Sequence, residues 1–480
     1  MSFSSRRRNY MLSSHRRDGL IEWMKGMLTH SFVLDLLAAT APATFAHFEE
    51  LVDEHRACAA GGPARSAELA NLAAAAEAPA PAGARRSRLE QIVPSVGVFH
   101  TPLPLRRAFL HYDGRYRVTK RRHVTLSFNE IRQVLNLAQV MALCEAPAAA
   151  PAAPGAPPSV SAPAKAFRGP RLVTFDGDQT LYSDGANFDG NPKLAEAIAL
   201  LLRNGVAVAV VTAAGYEYQV EKYTMRISGL LAYFREQGVT PEQCRSFYLF
   251  GGECNYLLRL SGSFELEPVK ERGPGGWVTA TRHVGESPAN WSEAEVGSLL
   301  DAAHASLSES LEDLQLAARV IRKRRAVGLI PGPGEAMSRE ALDECVLRVQ
   351  ARLHEHSAAS SLPYCAFNGG RDVWVDVGNK RVGVSILQTF LGLEPPECLH
   401  EETTYVLKVL LEFASGGEIL LGGPPSAAEE GAVKTPTPAE MTRRQSAGSA
   451  STGDVKQVFD PYTGDMVDAP TPQKNKRQKK

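Results

Sequence analysis

Charge of one sign is what this sequence most lacks. Lys and Arg number 53 and Asp and Glu 53, so the formal net charge at pH 7 is zero. It offers neither a global basic field for nucleic acid nor the acidic excess of a solvating chain. Cysteines at metal-binding or redox spacing are also lacking: Cys58, Cys144, Cys244, Cys254, Cys345, Cys365 and Cys398 are scattered, odd in number and form no CxxC. That argues against a disulfide scaffold or a cysteine zinc site and for the reduced thiols of a cytosolic or nuclear protein. No apolar run is long enough to span a bilayer; the best stretch, Phe32 to Phe48, is broken by Asp35 and Pro42. The N-terminal "MSFSSRRRNYMLSSHRR" has no apolar h-region, which speaks against secretion, although its Arg- and Ser-rich, acid-poor composition is shared with transit peptides. The expectation is a cytoplasmic chain that binds neither nucleic acid nor membrane.

What the sequence does have is material for a core: 44% hydrophobic and 22% charged residues over 480 positions, which suits roughly two to four domains. From Arg16 to Leu37, Leu20, Ile21, Met24, Met27 and Leu28 fall on one face at helical period. "FEELVDEHRACAA" continues in that style, and "EQIVPSVGVFHTPLPLRRAFL", punctuated by proline, reads as an extended crossing. "SFNEIRQVLNLAQVMALC" is a further amphipathic helix, with Ser127 as N-cap and Glu130 three residues on as its capping-box partner. Residues 1–145 therefore read as a mostly helical domain. The Ala/Pro-rich segment 146–168 buries too little apolar surface to offset its chain entropy and reads as a linker. Residues 422–480 are polar and Pro/Ser/Thr-rich and read as a disordered tail. Its end, "QKNKRQKK", has the composition of a solvated basic terminus and also of a nuclear-import signal.

From Arg171 the character changes to α/β. "RLVTF" and "VAVAVVT" are continuous apolar strands, as a parallel sheet covered on both faces requires. Between them "PKLAEAIALLLRNG" is a helix ending at Gly205, which makes a βαβ unit. Further strands are expected at "SFYLFGG" and "DVWVDV", and helices at "EAEVGSLLDAAHASLSESLEDL" and "REALDECVLRVQARLHEH". Residues 169–421 thus form an α/β domain on this reading.

The first of these strands ends in "TFDGDQTLYSDG", two aspartates separated by one glycine. Carboxylates just past the C-terminal edge of a parallel strand lie where open α/β sheets bind ligands. Gly177 lets the chain turn between them. Asp176 is then placed as a nucleophile towards phosphorus and Asp178 as the acid/base that protonates the leaving alkoxide. A bound Mg²⁺ would relieve the repulsion between the two acids, since hard cations prefer carboxylate oxygens and bridge to phosphate. Alone, such a pair is as often a turn with a helix N-cap. The second strand ends in "VVTAAGY", putting Thr212 where a hydroxyl can meet a phosphate oxygen, or cap the next helix. "FNGGRDVWVDVGNKRVGV" puts Lys380 in a strand-to-helix loop, suited to neutralising phosphate, where a lone lysine is otherwise a solvated surface residue.

DxDxT, then a strand-end Thr, then a loop Lys, in this order, resembles the haloacid dehalogenase superfamily of phosphatases. The distance from Thr212 to Lys380 leaves room for an inserted α+β cap, expected at roughly 255–368. "HRRDGLIEWMKGMLTHSFVLD", "IVPSVGVFHTPLPL", "SFNEIRQVLNLAQ", "VTFDGDQTLYSDG", "VVTAAGY", "GGECNYL", "IRKRRAVGLIP" and "FNGGRDVWVDVGNK" together resemble the IMP-specific 5′-nucleotidases, over about residues 10 to 421. The resemblance implies a parallel haloacid dehalogenase-like core with its cap, behind a helical N-terminal domain for regulation and oligomerisation. It implies hydrolysis of IMP to inosine and phosphate in purine metabolism, with Asp176 as nucleophile and Asp178 as proton donor, both contacting Mg²⁺. Asp178, Asp184, Thr212, Asp372 and Lys380 match positions that bind the nucleotide. It further implies a homotetramer activated by ATP through the N-terminal region, where the basic run "RVTKRRHV" is one candidate contact and a solvated helix approach the plainer reading.

The pattern is incomplete. The family follows the lysine helix with a strand and a loop of the form LHVGDQF…GND…R, which supplies the last acidic Mg²⁺ ligand. Here "GLEPPECLH" runs straight into "EETTYVLKVLLEF", so that loop, its helix and the next strand are missing between His400 and Glu401. Glu401 and Glu402 stand at the junction, where acids suit the first turn of a helix. Two other readings follow: a catalytically impaired member that binds nucleotide or acts as a regulatory subunit, and a related phosphatase for another nucleotide or sugar phosphate.

Overall fold

The computed structural model describes residues 19–33, 37–60, 86–121, 124–145, 169–178, 180–182, 187–188, 191–356, 361–401, 407, 410–411, 457–459 and 466–468. The expected linker at 146–168, Asp184 and Glu402, and nearly all of the expected tail at 422–480, lie outside the described residues. The chain divides into two compact units, residues 1–418 and 419–480. In the second, β11 (Gln457–Phe459) and β12 (Met466–Asp468) pair antiparallel.

The first unit begins with helices α1 (Gly19–Val33), α2 (Leu37–Ala60), α3 (Arg88–Ile92), α4 (Leu105–Tyr116) and α5 (Phe128–Glu145). The apolar stripe read from the sequence is buried at Ile21, Met24 and Leu28, and Met27 is exposed. Phe45 stacks on Phe109 with centroids 4.5 Å apart, and Trp23 meets Phe48 edge-on at 5.0 Å. Burying one such side chain contributes about 1.5–3 kcal/mol. The capping box at the start of α5 is formed: Glu130 accepts from the Ser127 N–H at 2.7 Å, and the Glu130 N–H donates to Ser127 Oγ at 3.3 Å. Of the proline-punctuated crossing only 93–104 is neither helix nor strand, with a turn at 94–95, and α3 lies before it and α4 after it.

Next come β1 (Leu172–Asp176), α6 (Pro192–Arg203), β2 (Ala207–Val211), α7 (Val220–Arg226), α8 (Ser228–Glu236), α9 (Pro241–Cys244) and β3 (Phe247–Gly251). β4 (Tyr256–Leu260), β5 (Leu266–Pro268), α10 (Trp277–Ala280) and α11 (Glu293–Asp313) follow. The unit continues through β6 (Ala318–Arg322), β7 (Ala326–Pro331), α12 (Arg339–His354), β8 (Tyr364–Asn368), β9 (Val373–Val377), α13 (Lys380–Leu391) and β10 (Cys398–Glu401).

One sheet has the order β10-β1-β2-β3-β4-β5. β10, β1, β2 and β3 are parallel, as expected for the apolar runs of β1 and β2, and β4 and β5 extend the sheet antiparallel. Ala207, Ala209 and Val211 share a core with Val382, Ile386 and Leu387 of α13, so α13 covers one face. The helix between the first two strands runs as read: Asn191 caps its start, and Gly205, at φ 76, reverses the chain into β2.

A second sheet, order β6-β7-β9-β8, is antiparallel throughout. Its core joins Val327, Leu329, Val373 and Val375 to Leu299 and Leu300 of α11 and Val346 and Val349 of α12. The α/β core with an inserted α+β layer is as read from the sequence, but its internal boundary moves. Residues 256–268 pair into the first sheet, because β4 folds straight back on β3. "DVWVDV", expected with the core strands, is β9 and pairs with β7 and β8, so the second sheet reaches past residue 368. Apolar except for Asp372 and Asp376, that segment fits a strand of either sheet, so composition did not say which one it joins. Among the described residues β10 is the edge of the first sheet, consistent with a further strand missing beyond it.

Candidate active site

β1 and β2 lie side by side in register, Asp176 opposite Val211, so both chains leave the sheet at the same edge. Asp176 is the last residue of β1, and Thr212 directly follows β2 with its N–H donating to the Phe250 carbonyl at 3.0 Å. Leaving β9, the chain turns at Gly378, φ 100, and Asn379 accepts from the Val382 N–H at 2.9 Å to cap α13. Lys380, first residue of α13, thereby reaches back to β1: its Nζ donates to both Asp176 Oδ1 and Oδ2 at 2.9 Å.

Gly177 has the close quarters that glycine alone tolerates. A Cβ there would stand 2.5 Å from Tyr182 Oη and 3.2 Å from Thr212 Oγ1. Its carbonyl accepts from the N–H groups of Leu181 (2.9 Å) and Tyr182 (3.3 Å), closing the turn that carries Asp178. Asp178 Oδ2 lies 3.5 Å from the Thr212 hydroxyl, which also accepts from the Ala214 N–H at 3.1 Å. The Thr212 hydroxyl thus faces the acid loop and closes its own turn; it does not cap the next helix, α7, whose N-cap is Gln219.

The structure thus brings together Asp176, Asp178, Thr212 and Lys380, contributed by β1, β2 and α13. Asp372 belongs to the other sheet, in the turn between β8 and β9, where it is buried and its carbonyl accepts from the Gly369 N–H at 3.0 Å. Asp184 lies outside the described residues. In the basic run, Arg121 pairs with Glu130 at 2.6 Å, and residues 122–123 are outside the described set.

Several residues here escaped the sequence reading. Arg226, at the end of α7, pairs through Nη2 with Asp178 Oδ1 at 2.5 Å, and its guanidinium sits 4.8 Å from the centroid of the Tyr182 ring. Burial raises the Tyr182 phenol well above its ordinary range, and the charge of Asp178 adds to this. The signal was slight: an arginine between Met225 and Ile227, and a charge among apolar neighbours is buried only when paired. Lys323, in the turn from β6 to β7, donates to the Gly215 carbonyl at 3.1 Å and lies over the rings of Trp374 (4.5 Å) and Tyr216 (5.7 Å). It ties the second sheet to the loop that follows Thr212. Asp376 on β9 is buried, which pushes its carboxyl well above the carboxylate range; Glu253 pushes the same way, while Lys323 and Lys380 oppose.

A strand-end carboxylate, a second acid two residues on, a hydroxyl and an ammonium meeting at the C-terminal edge of a parallel sheet can bind a phosphate monoester, with Asp176 placed for in-line attack. Mg²⁺ is the cation that such a fold implies. Mg²⁺ takes one or two carboxylates, keeps water and shares phosphate oxygens, so Asp176 and the Asp178 loop fit it as a sparse donor set. Among the described residues no group of three or more His, Cys, Asp or Glu side chains could hold a metal.

Comparison with known proteins identifies one family. The family described as IMP-specific 5′-nucleotidase matches residues 2–417. IMP-specific 5′-nucleotidase 1 of Yarrowia lipolytica is 36% identical over 80% of this chain and 84% of its own length. That of Neurospora crassa is 36% identical over 85% and 90%. Among solved structures, Plasmodium falciparum IMP-nucleotidase is 31% identical with TM-score 0.63, covering 81% of this chain and 78% of that one. An IMP-bound mutant of that enzyme (30%, TM-score 0.64, 84% and 91%) and its ATP-bound form (29%, TM-score 0.64, 82% and 85%) also match.

Proposed function

The chain belongs to the IMP-specific 5′-nucleotidase family, and from that premise we propose that it hydrolyses IMP to inosine and phosphate through an aspartyl-phosphate on Asp176. The observation that carries this reading is the Lys380 ammonium spanning both oxygens of Asp176 at 2.9 Å. It offsets carboxylate charge that would otherwise repel an anionic phosphate, and holds Asp176 pointing out of the sheet edge for attack. Asp178 protonates the departing nucleoside oxygen and then takes a proton from the hydrolytic water. The Thr212 hydroxyl and Lys380 hold phosphate oxygens, and Asp178, Asp184 and Asp372 serve the nucleotide. Mg²⁺, held by a carboxylate oxygen of Asp176 and the main-chain carbonyl of Asp178, would supply further neutralisation of phosphate charge.

The wider reading is a cytoplasmic enzyme of purine nucleotide metabolism, assembled as a homotetramer and activated by ATP. Residues 1–145 serve regulation and oligomerisation, 146–168 form a linker, 169–421 the phosphatase core with its cap, and 422–480 a tail. The matching ATP-bound relative supports the effector.

A second reading has its own observation. The metal-binding loop of the family pattern is missing, and β10 stands at the sheet edge among the described residues. On that reading the chain binds nucleotide, or acts as a regulatory subunit, with little turnover. Phosphate release from a panel of IMP, AMP, GMP and hexose phosphates tests substrate choice: preference for IMP supports the nucleotidase, and preference for a sugar phosphate replaces it with another phosphatase of the same fold.

A further inference from the structure

Resting on the nucleotidase reading, we infer that Arg226 is a positioning residue that divides the work of the Asp178 carboxylate between its two oxygens. Arg226 anchors Oδ1, and proton exchange with the nucleoside oxygen and with water runs through Oδ2. Three observations carry this. The Arg226 side chain is only 4% exposed and the Asp178 side chain 26%, so the guanidinium stands behind the carboxylate, on its protein side. Its Nη2 meets Oδ1 at 2.5 Å, while the hydroxyl of Thr212, at the strand end facing the reaction, meets Oδ2 at 3.5 Å.

The guanidinium is itself fixed by the loop that it serves. It lies on the Tyr182 ring, and Tyr182 forms a ladder bridge with Asp178 and donates its N–H to the Gly177 carbonyl. The Arg226 carbonyl accepts from the Phe188 N–H at 2.8 Å, so the chain on both sides of residues 183–186 is held to α7 or to the acid turn. An aspartate's terminal torsion is broad and nearly two-fold, so without such an anchor the two oxygens exchange places. Planar stacking combined with a directed donor is a property of arginine, and lysine supplies only the charge.

The chemistry balances with one proton. Asp176 forms a bond to phosphorus as the P–O5′ bond breaks, and the proton on Asp178 Oδ2 passes to O5′, releasing inosine. A water oxygen then bonds to phosphorus, its proton passes to Asp178 Oδ2, and the bond between phosphorus and Asp176 breaks, releasing phosphate. Orienting Oδ2 assists the first step only when the leaving group needs the proton.

The test compares IMP with its 5′-bridging phosphorothiolate analogue, whose sulfur leaves as a thiolate without protonation, in the full chain and in Arg226→Gln and Arg226→Lys. Arg226→Gln is expected to lower kcat for IMP by about 10²-fold, with KM little changed, and the kcat of analogue cleavage by less than about tenfold. Arg226→Lys is expected to restore little. The ratio of the two rates is independent of how much of a preparation is folded, so partial misfolding does not mask it. Equal losses on both compounds, or full rescue by lysine, would overturn the positioning role while leaving the nucleotidase reading intact. A wild-type chain that cleaves neither compound overturns both.

Discussion

The ammonium of Lys380 donates to both carboxylate oxygens of Asp176 at 2.9 Å, from a position 204 residues further along the sequence. The whole second sheet is spelled out between these two residues, so the pair joins the strand that opens the domain to the helix that follows the insertion. Removing Lys380 leaves Asp176 facing the substrate phosphate without that counter-charge. Lys380→Ala is expected to weaken IMP binding by about 10- to 100-fold, the range of one or two charged hydrogen bonds. Titration calorimetry checks this, and an unchanged affinity would remove Lys380 from the phosphate site.

Asp176→Asn keeps the volume and removes the proposed nucleophile. Phosphate release from IMP is expected to vanish while the thermal midpoint stays within a few degrees, since Asp176 is at a strand end and partly exposed. Persistent turnover in a folded Asp176→Asn protein would eliminate the aspartyl-phosphate.

Gly177→Ala tests the turn between the acids. The added methyl would come 2.5 Å from Tyr182 Oη and 3.2 Å from Thr212 Oγ1. A loss of about 1–3 kcal/mol in stability is expected from overpacking, with activity lost as the acid loop shifts. Denaturant unfolding and phosphate release in the same variant measure both, and a fully active, equally stable variant would show that the turn is slacker than the contacts indicate.

The buried carboxyl of Asp376 sets a pH dependence. Burial, and then the charge of Glu253, raise its value well above the ordinary 3.8, so the folded chain holds this proton when the unfolded chain would release it. The stabilisation is full below 3.8 and is lost as pH rises from there through the folded value. Asp376→Asn, neutral at every pH, should lose less stability between acidic and neutral pH than the wild type. Parallel slopes of unfolding free energy against pH in the two proteins would place the charge elsewhere.

The strand-end pair Asp176 and Asp178, Thr212 and the loop lysine were legible because each sits at a fixed place in the βα repeat, where apolar runs end abruptly. Helix ends were legible where capping chemistry marks them, as at Ser127 and Gly205. Arg226 was barely legible, because only its apolar neighbours Met225 and Ile227 set a guanidinium turned towards Asp178 apart from one on the surface. Pairing partners were also hidden: β4 and β5 were not read as strands, and "DVWVDV" was read as a strand without its partner, because register and partner are set by tertiary packing, which placed β4 and β5 in the core sheet and β9 outside it. Lys323 was hidden for the same reason, since the aromatic rings beneath it come from distant segments.

The most direct measurement is phosphate release from IMP by the full chain, with and without Mg²⁺, alongside IMP binding to the same preparation. The account predicts Mg²⁺-dependent release, half-saturating at higher Mg²⁺ than a member with the complete acidic loop requires. Binding of IMP with no release at any Mg²⁺ concentration would contradict it and establish a nucleotide-binding chain in place of an enzyme.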